Sequence, residues 1–146
     1  MNNNSFEDFI KQFSDCSSNS KVASENGKRF EINSSENFTR LNIDGCVINL
    51  NGQERCDFGF LRHTTDEFYF IELKGSDIEK AFNQIVATIK LINSEFFVIP
   101  KNKRLGFIIS SRVPSAGTDI KKIKQKFARD YGKILEIKNR VLTYSP

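Results

Sequence analysis

The run Phe68-Tyr69-Phe70-Ile71-Glu72-Leu73 is almost continuously apolar and aromatic, and it narrows most what this chain can fold into. A strand presenting one face to water alternates polar and apolar residues; a run without that alternation suits a central strand covered on both faces. Immediately after it, Ser76 opens a helix, with Glu79 three positions on completing a capping box. Ile78, Phe82, Ile85, Ile89 and Ile92 form the apolar stripe of that helix. On the other side, polar residues 62–67 separate the run from the β-prone segment 56–61, so the two read as antiparallel neighbours joined by a tight turn.

The flanking segments can be placed around this centre. Phe6, Phe9, Ile10 and Phe13 fall at helical spacing behind Ser5, which predicts a short amphipathic helix with Ser5 as its N-cap. Residues 14–28 are rich in Ser, Asn and charge and read as a loop. Asp44-Gly45, between Leu41 and Ile43 before it and Val47, Ile48 and Leu50 after it, predicts a β-hairpin, and Asn51-Gly52 a second turn. Residues 95–99 and 105–110 are β-prone, and 105–109 reads as a strand. Gly117 and Thr118 precede a helix over 119–131, with Ile120, Ile123, Phe127 and Tyr131 inward and Gly132 as its stop. Two short runs, 134–137 and 141–144, end the chain. The expected class is α/β: a single mixed β-sheet flanked by helices, in one domain over 1–146, with a terminal helix and polar loop at 1–28 and the core at 29–146.

A chain of 146 residues with 38% hydrophobic content and 14 Phe is large enough to bury roughly two thirds of its unfolded surface, which excludes a disulfide-dependent mini-protein. No stretch approaches the ~18 apolar residues of a membrane span, and MNNNSFEDFI lacks the basic start and apolar run of a signal peptide. A cytoplasmic protein without a membrane partner is expected. Cys16, Cys46 and Cys56 are odd in number and form no CxxC pair, so reduced thiols are expected. His63, the only histidine, lies in a polar turn and reads as a solvated loop residue. Neither a phosphate-cradling glycine loop nor a histidine partner for Ser110-Ser111 is present.

The net charge of +4 hides a division along the chain. Residues 1–100 carry 10 Lys and Arg against 15 Asp and Glu, whereas residues 101–146 carry 12 against 3. Lys121, Lys122, Lys124, Lys126 and Arg129 lie on the surface left over by the apolar stripe of the 119–131 helix. Such a face suits a polyanion contacted through its phosphates, an acidic protein, or plain solvation.

Chemistry concentrates where charge enters the apolar strand. Glu72 and Lys74 end the 68–73 run, and strand alternation puts both on one side. Buried charges there cost desolvation energy unless they are paired or bind an ion. An antiparallel turn centred between Thr64 and Thr65 places Asp57 opposite Glu72. Two carboxylates suit a hard divalent cation such as Mg2+, with Mn2+ as a substitute and the Leu73 backbone carbonyl as an additional ligand. Lys74 could orient or deprotonate a bound water and stabilise developing charge.

Asp57, fourteen intervening residues, then Glu72-Leu73-Lys74 resembles the PD-(D/E)XK nuclease superfamily of restriction endonucleases and Holliday-junction resolvases. The resemblance implies a restriction-endonuclease-like core, spanning roughly residues 42–111. It also implies a metal-binding acidic pair, a lysine assisting the attacking water, and an active-site-facing glutamine at Gln84. Cys56 stands where the motif has proline. Many members add a glutamate from an N-terminal helix; Glu7, Glu25, Glu31 and Glu36 all remain open for that place. The expectation is a Mg2+-dependent endonuclease acting on DNA, as a homodimer or with a partner protein where both strands are cut. The alternative is a catalytically silent nuclease-fold module that binds nucleic acid or a protein partner, of a regulatory or immunity type.

Overall fold

A computed structural model describes residues 5–75, 77–112 and 119–146, without the side chains of Ser5 and Lys74. Helix α1 (Ser5–Gln12) leads through a 3-10 turn (Ser14–Cys16) to strands β1 (Ser17–Ser18), β2 (Val22–Glu25), β3 (Lys28–Ile32) and β4 (Phe38–Asn42). Strands β5 (Phe58–Arg62) and β6 (Glu67–Gly75) are followed by α2 (Ile78–Glu95), β7 (Arg104–Ser110), α3 (Ile120–Asp130), β8 (Ile134–Asn139) and β9 (Val141–Tyr144).

Six strands form a mixed sheet in the order β1-β4-β5-β6-β7-β8. The β4-β5-β6 segment is an antiparallel meander, and α2 and α3 are the crossovers that bring β7 and β8 in parallel to their predecessors. Strand β6 is central and covered on both faces, as its composition predicts. Phe68 and Phe70 pack with α1, α2 and α3, while Tyr69, Ile71 and Leu73 face the opposite way. That second face differs from the expectation of one sheet flanked by helices. It is covered by a separate three-stranded sheet, β2-β3-β9, whose Ala23, Phe30, Ile32 and Leu142 meet Tyr69, Phe107 and Ile109. Two of these strands begin or lie within residues 14–28, read from composition as a loop. Pairing across the fold overrides that local polarity, and Ala23 is fully buried.

Three further expectations change. Asp44-Gly45 makes a tight turn, with Gly45 at φ +79°, but its flanks do not form a hairpin. Ile43, Val47 and Ile48 are buried against the helices instead, and β4 pairs with β5 beyond a long irregular segment. Residues 95–99 form no strand. Phe96 and Phe97 leave the end of α2 to build an aromatic cluster with α1, Phe6 to Phe97 at 4.8 Å and Phe9 to Phe96 at 5.2 Å between ring centres. Helix α2 is capped by Asp77, whose side chain accepts from the Lys80 N–H at 3.1 Å. Ser76, Gly117 and Thr118 lie outside the described residues.

The cysteines also depart from expectation. Cys16 and Cys46 are joined in a disulfide, with Cα atoms 5.8 Å apart and a separation of 30 in sequence, and only Cys56 is free. No spacing rule signals this pair, because it exists only once the 3-10 turn after α1 is laid on the Asp44-Gly45 turn. Among the described residues, no helix is long and apolar enough to cross a membrane.

Candidate functional site

The expected register holds residue for residue. Phe58 pairs with Ile71 and Arg62 with Glu67, and beyond the end of β5 the Asp57 N–H donates to the Ile71 carbonyl at 3.0 Å. Asp57 and Glu72 therefore stand opposite each other, on the sheet face that α2 covers. Asp57 is 4% exposed and Glu72 is fully buried. One Asp57 oxygen, Oδ2, accepts the Leu73 N–H at 2.7 Å, a charge-assisted bond that ties the first carboxylate to the residue after the second.

Just past Glu72 the β6–β7 pairing slips: Glu72 pairs with Ile108, and the next pair is Gly75 with Ser110. A bulge of this kind interrupts the ladder and re-aims backbone groups, and it falls on Leu73 and Lys74. The Leu73 carbonyl, the expected third ligand, thus sits at the break. The Lys74 side chain lies outside the described residues.

The segment that delivers Asp57 carries no ladder of its own and is held by scattered bonds. The Asp57 carbonyl accepts from the Ile43 and Asp44 N–H groups at 3.0 and 3.2 Å. Arg55 pairs with Asp44 at 2.9 Å and donates to the Leu50 and Gln53 carbonyls at 2.7 and 3.0 Å. From the helix, Thr88 Oγ1 accepts the Cys56 N–H at 2.8 Å and donates to the Gln84 carbonyl at 2.8 Å. Gln84 is half-buried, one turn before Thr88. Cys56 is fully buried, and burial, with the Glu72 and Asp57 charges, pushes its thiol pKa up, so the sulfur stays protonated and neutral. The supporting roles of Thr88, Cys56, Arg55 and Asp44 are the parts of this site that sequence reasoning missed. The available signal was a threonine set within the apolar stripe of α2.

As donors, two carboxylates and a backbone carbonyl are hard oxygens and fit Mg2+ chemically. Among the described residues, no group of three or more His, Cys, Asp and Glu is arranged to hold a metal ion. None of the four glutamates left open is drawn to the pair. Glu36 is bound by Arg62 at 2.7 and 2.8 Å near the β5–β6 turn, at the far end of these strands, and Glu31 pairs with Arg29 on the small sheet. Glu7 is exposed on α1, and Glu25 ends β2. His63, exposed in the β5–β6 turn, shares a 2.8 Å hydrogen bond with Thr39.

The basic helix α3 is not uniform. Lys124 lies 4.0 Å from Glu136, and Arg129 is paired with Asp130 at 2.9 Å. Lys122 and Lys126, one turn apart, instead line a groove of about 430 Å³ between α2 and α3 together with Glu79, Phe82, Asn83 and Asp119. The Lys126 ammonium lies 5.8 Å above the Phe82 ring. Lys121 is exposed.

Comparison with protein-family models, curated proteins and solved structures finds no match to this chain.

Proposed function

We propose that this chain is a divalent-cation-dependent nuclease that hydrolyses phosphodiester bonds in DNA. The observation that carries the reading is the juxtaposition of two buried carboxylates, Asp57 and Glu72, across adjacent strands beside a bulge and under a helix bearing Gln84. The succession of antiparallel meander, crossover helix and parallel strand supports a restriction-endonuclease-like core. Asp57, Glu72 and the Leu73 carbonyl would hold Mg2+ or Mn2+, which supplies Lewis-acid polarisation of a phosphoryl oxygen and a more acidic water. Lys74 orients that water or takes its proton, and Gln84 faces the reacting phosphate. Asp57 is held in register with the Leu73 backbone by the bond from the Leu73 N–H to its Oδ2. Lys122 and Lys126, with Lys121, contact the phosphate backbone without reading sequence. A domain with one such site cuts one strand, and a homodimer or partner protein supplies the second cut.

The cytoplasm, the compartment proposed with this reading, holds thiol reductants that oppose the Cys16–Cys46 bond. The test is cleavage of plasmid and oligonucleotide DNA with Mg2+, repeated with Asp57→Ala and Lys74→Ala. Loss of activity in both supports the mechanism, and activity that survives both removes it.

A second reading, a silent nuclease-fold module that binds nucleic acid or a protein, is favoured by the complete burial of Glu72, because Mg2+ keeps several water ligands and needs a solvated approach. Calorimetric titration separates the two. Salt-dependent DNA binding without heat on adding Mg2+ selects the silent module.

A further inference from the structure

Among the buried polar groups that the site reading leaves without a role, the Thr88 hydroxyl is the one bonded to the backbone beside Asp57. Thr88 is fully buried on the face of α2 that packs against the sheet, among Ile85, Ile89 and Ile92. A hydroxyl inside an apolar stripe costs desolvation energy unless its bonds are made. Both bonds are made, and they run in a fixed direction. The single hydroxyl hydrogen goes to the Gln84 carbonyl, leaving an oxygen lone pair that accepts the Cys56 N–H. A threonine in a helix commonly makes the first bond alone. The second is unusual because it reaches across 32 residues to the backbone immediately before Asp57.

Cys56 precedes β5 and has no ladder partner for its N–H, so the helix supplies it. On one side of this peptide lies the Arg55 side chain with its anchors, and on the other the Asp57 backbone, bonded to Ile71, Ile43 and Asp44. We infer that Thr88 is a positioning residue for the candidate metal centre: through Cys56 it sets the height of Asp57 relative to α2, and through the Gln84 carbonyl it joins that setting to the turn carrying Gln84. It touches neither cation nor phosphate. The inference about metal affinity rests on the nuclease-site reading; the inference about the Asp57 backbone does not.

The experiment compares Thr88→Val, nearly isosteric but unable to form either bond, with Thr88→Ser, which keeps both. Two readouts are taken. Amide NMR follows hydrogen exchange at Cys56 and the chemical shift of the Leu73 N–H, which reports the bond to the Asp57 carboxylate. Isothermal titration with Mg2+ alone follows the site. In Thr88→Val, the Cys56 amide exchanges at least tenfold faster, the Leu73 amide shifts, and Mg2+ affinity falls on the order of tenfold, as for other groups that orient metal ligands. Thr88→Ser restores the Leu73 shift and keeps affinity within about twofold of the parent. An unmoved Leu73 amide, or unchanged Mg2+ affinity despite an exposed Cys56 amide, overturns the positioning role. Should Thr88→Val fail to fold, Thr88→Ala and Thr88→Ser carry the same comparison. Absence of Mg2+ binding by the parent protein refutes the metal-centre reading instead, and the Leu73 amide then decides the Thr88 inference alone.

Discussion

Reducing the Cys16–Cys46 bond is the perturbation whose size the structure defines best. The bond closes a loop of 30 residues that contains β1 to β4 and joins the turn after α1 to the Asp44-Gly45 turn. Removing a cross-link of that span from the unfolded chain restores loop entropy worth about 3.6 kcal/mol at room temperature. For a chain of 146 residues, each kcal/mol moves the melting temperature by about 2–4 °C, so the reduced protein should unfold roughly 10 °C below the oxidised one. The folded arrangement should survive, because Cys16 is 8% exposed and packed in the helix-side core, and Ile43, Val47 and Ile48 hold the second turn down independently. Scanning calorimetry with and without a dithiol reductant measures the shift, and Cys16→Ala/Cys46→Ala should melt with the reduced form. Thiol titration in denaturant without reductant should find one free thiol, that of Cys56. Three reactive thiols would show that the bond does not form, and a shift under about 2 °C on verified reduction would show that the loop is already constrained in the unfolded chain. The site is coupled to this bond, since the Ile43 and Asp44 N–H groups that hold the Asp57 carbonyl lie three and two residues from Cys46.

Gly132→Ala should destabilise by about 1–3 kcal/mol through overpacking, because a methyl group there meets the Phe127 ring and the Arg104 carbonyl at 2.5 Å; a mutant melting with the parent refutes this. Glu36 has its pKa lowered from 4.5 to about 2 by hydrogen bonds from Arg62 and Thr64. A depressed carboxylate contributes stability above its unfolded pKa and loses it as pH falls through the folded one, so denaturation midpoints should drop between about pH 4.5 and 2. Glu36→Gln should flatten that slope, and an identical acid profile for the two proteins contradicts the assignment. Among the basic residues of α3, Lys122→Ala and Lys126→Ala should each lower the salt slope of DNA affinity by about 1, measured by fluorescence anisotropy, while Lys124→Ala changes it less because Glu136 already faces that ammonium. Equal losses at all three positions would refute the groove as the contact face.

What could be read from the sequence follows from how far each interaction reaches along the chain. The β5–β6 pairing was legible to the residue, because a six-residue polar turn and a core strand that tolerates no slip leave one register, and that register puts Asp57 beside Glu72. The apolar stripes of α2 and α3 were legible for the same reason, being periodic within one element. The second sheet was not, because β3 pairs in parallel with β9 across more than a hundred residues, and β2 and β3 lack a run distinctive enough to announce a partner. The disulfide was hidden likewise. Within the candidate site, the two carboxylates came from local pairing, but the groups that hold them did not: Thr88, Cys56, Arg55 and Asp44 act through single bonds between elements that meet only in the finished fold. Asp57 lies where a paired strand gives way to an unpaired segment, so its placement depends on those few long-range bonds rather than on a ladder. A change in any of them should therefore shift the candidate site before it unfolds the sheet.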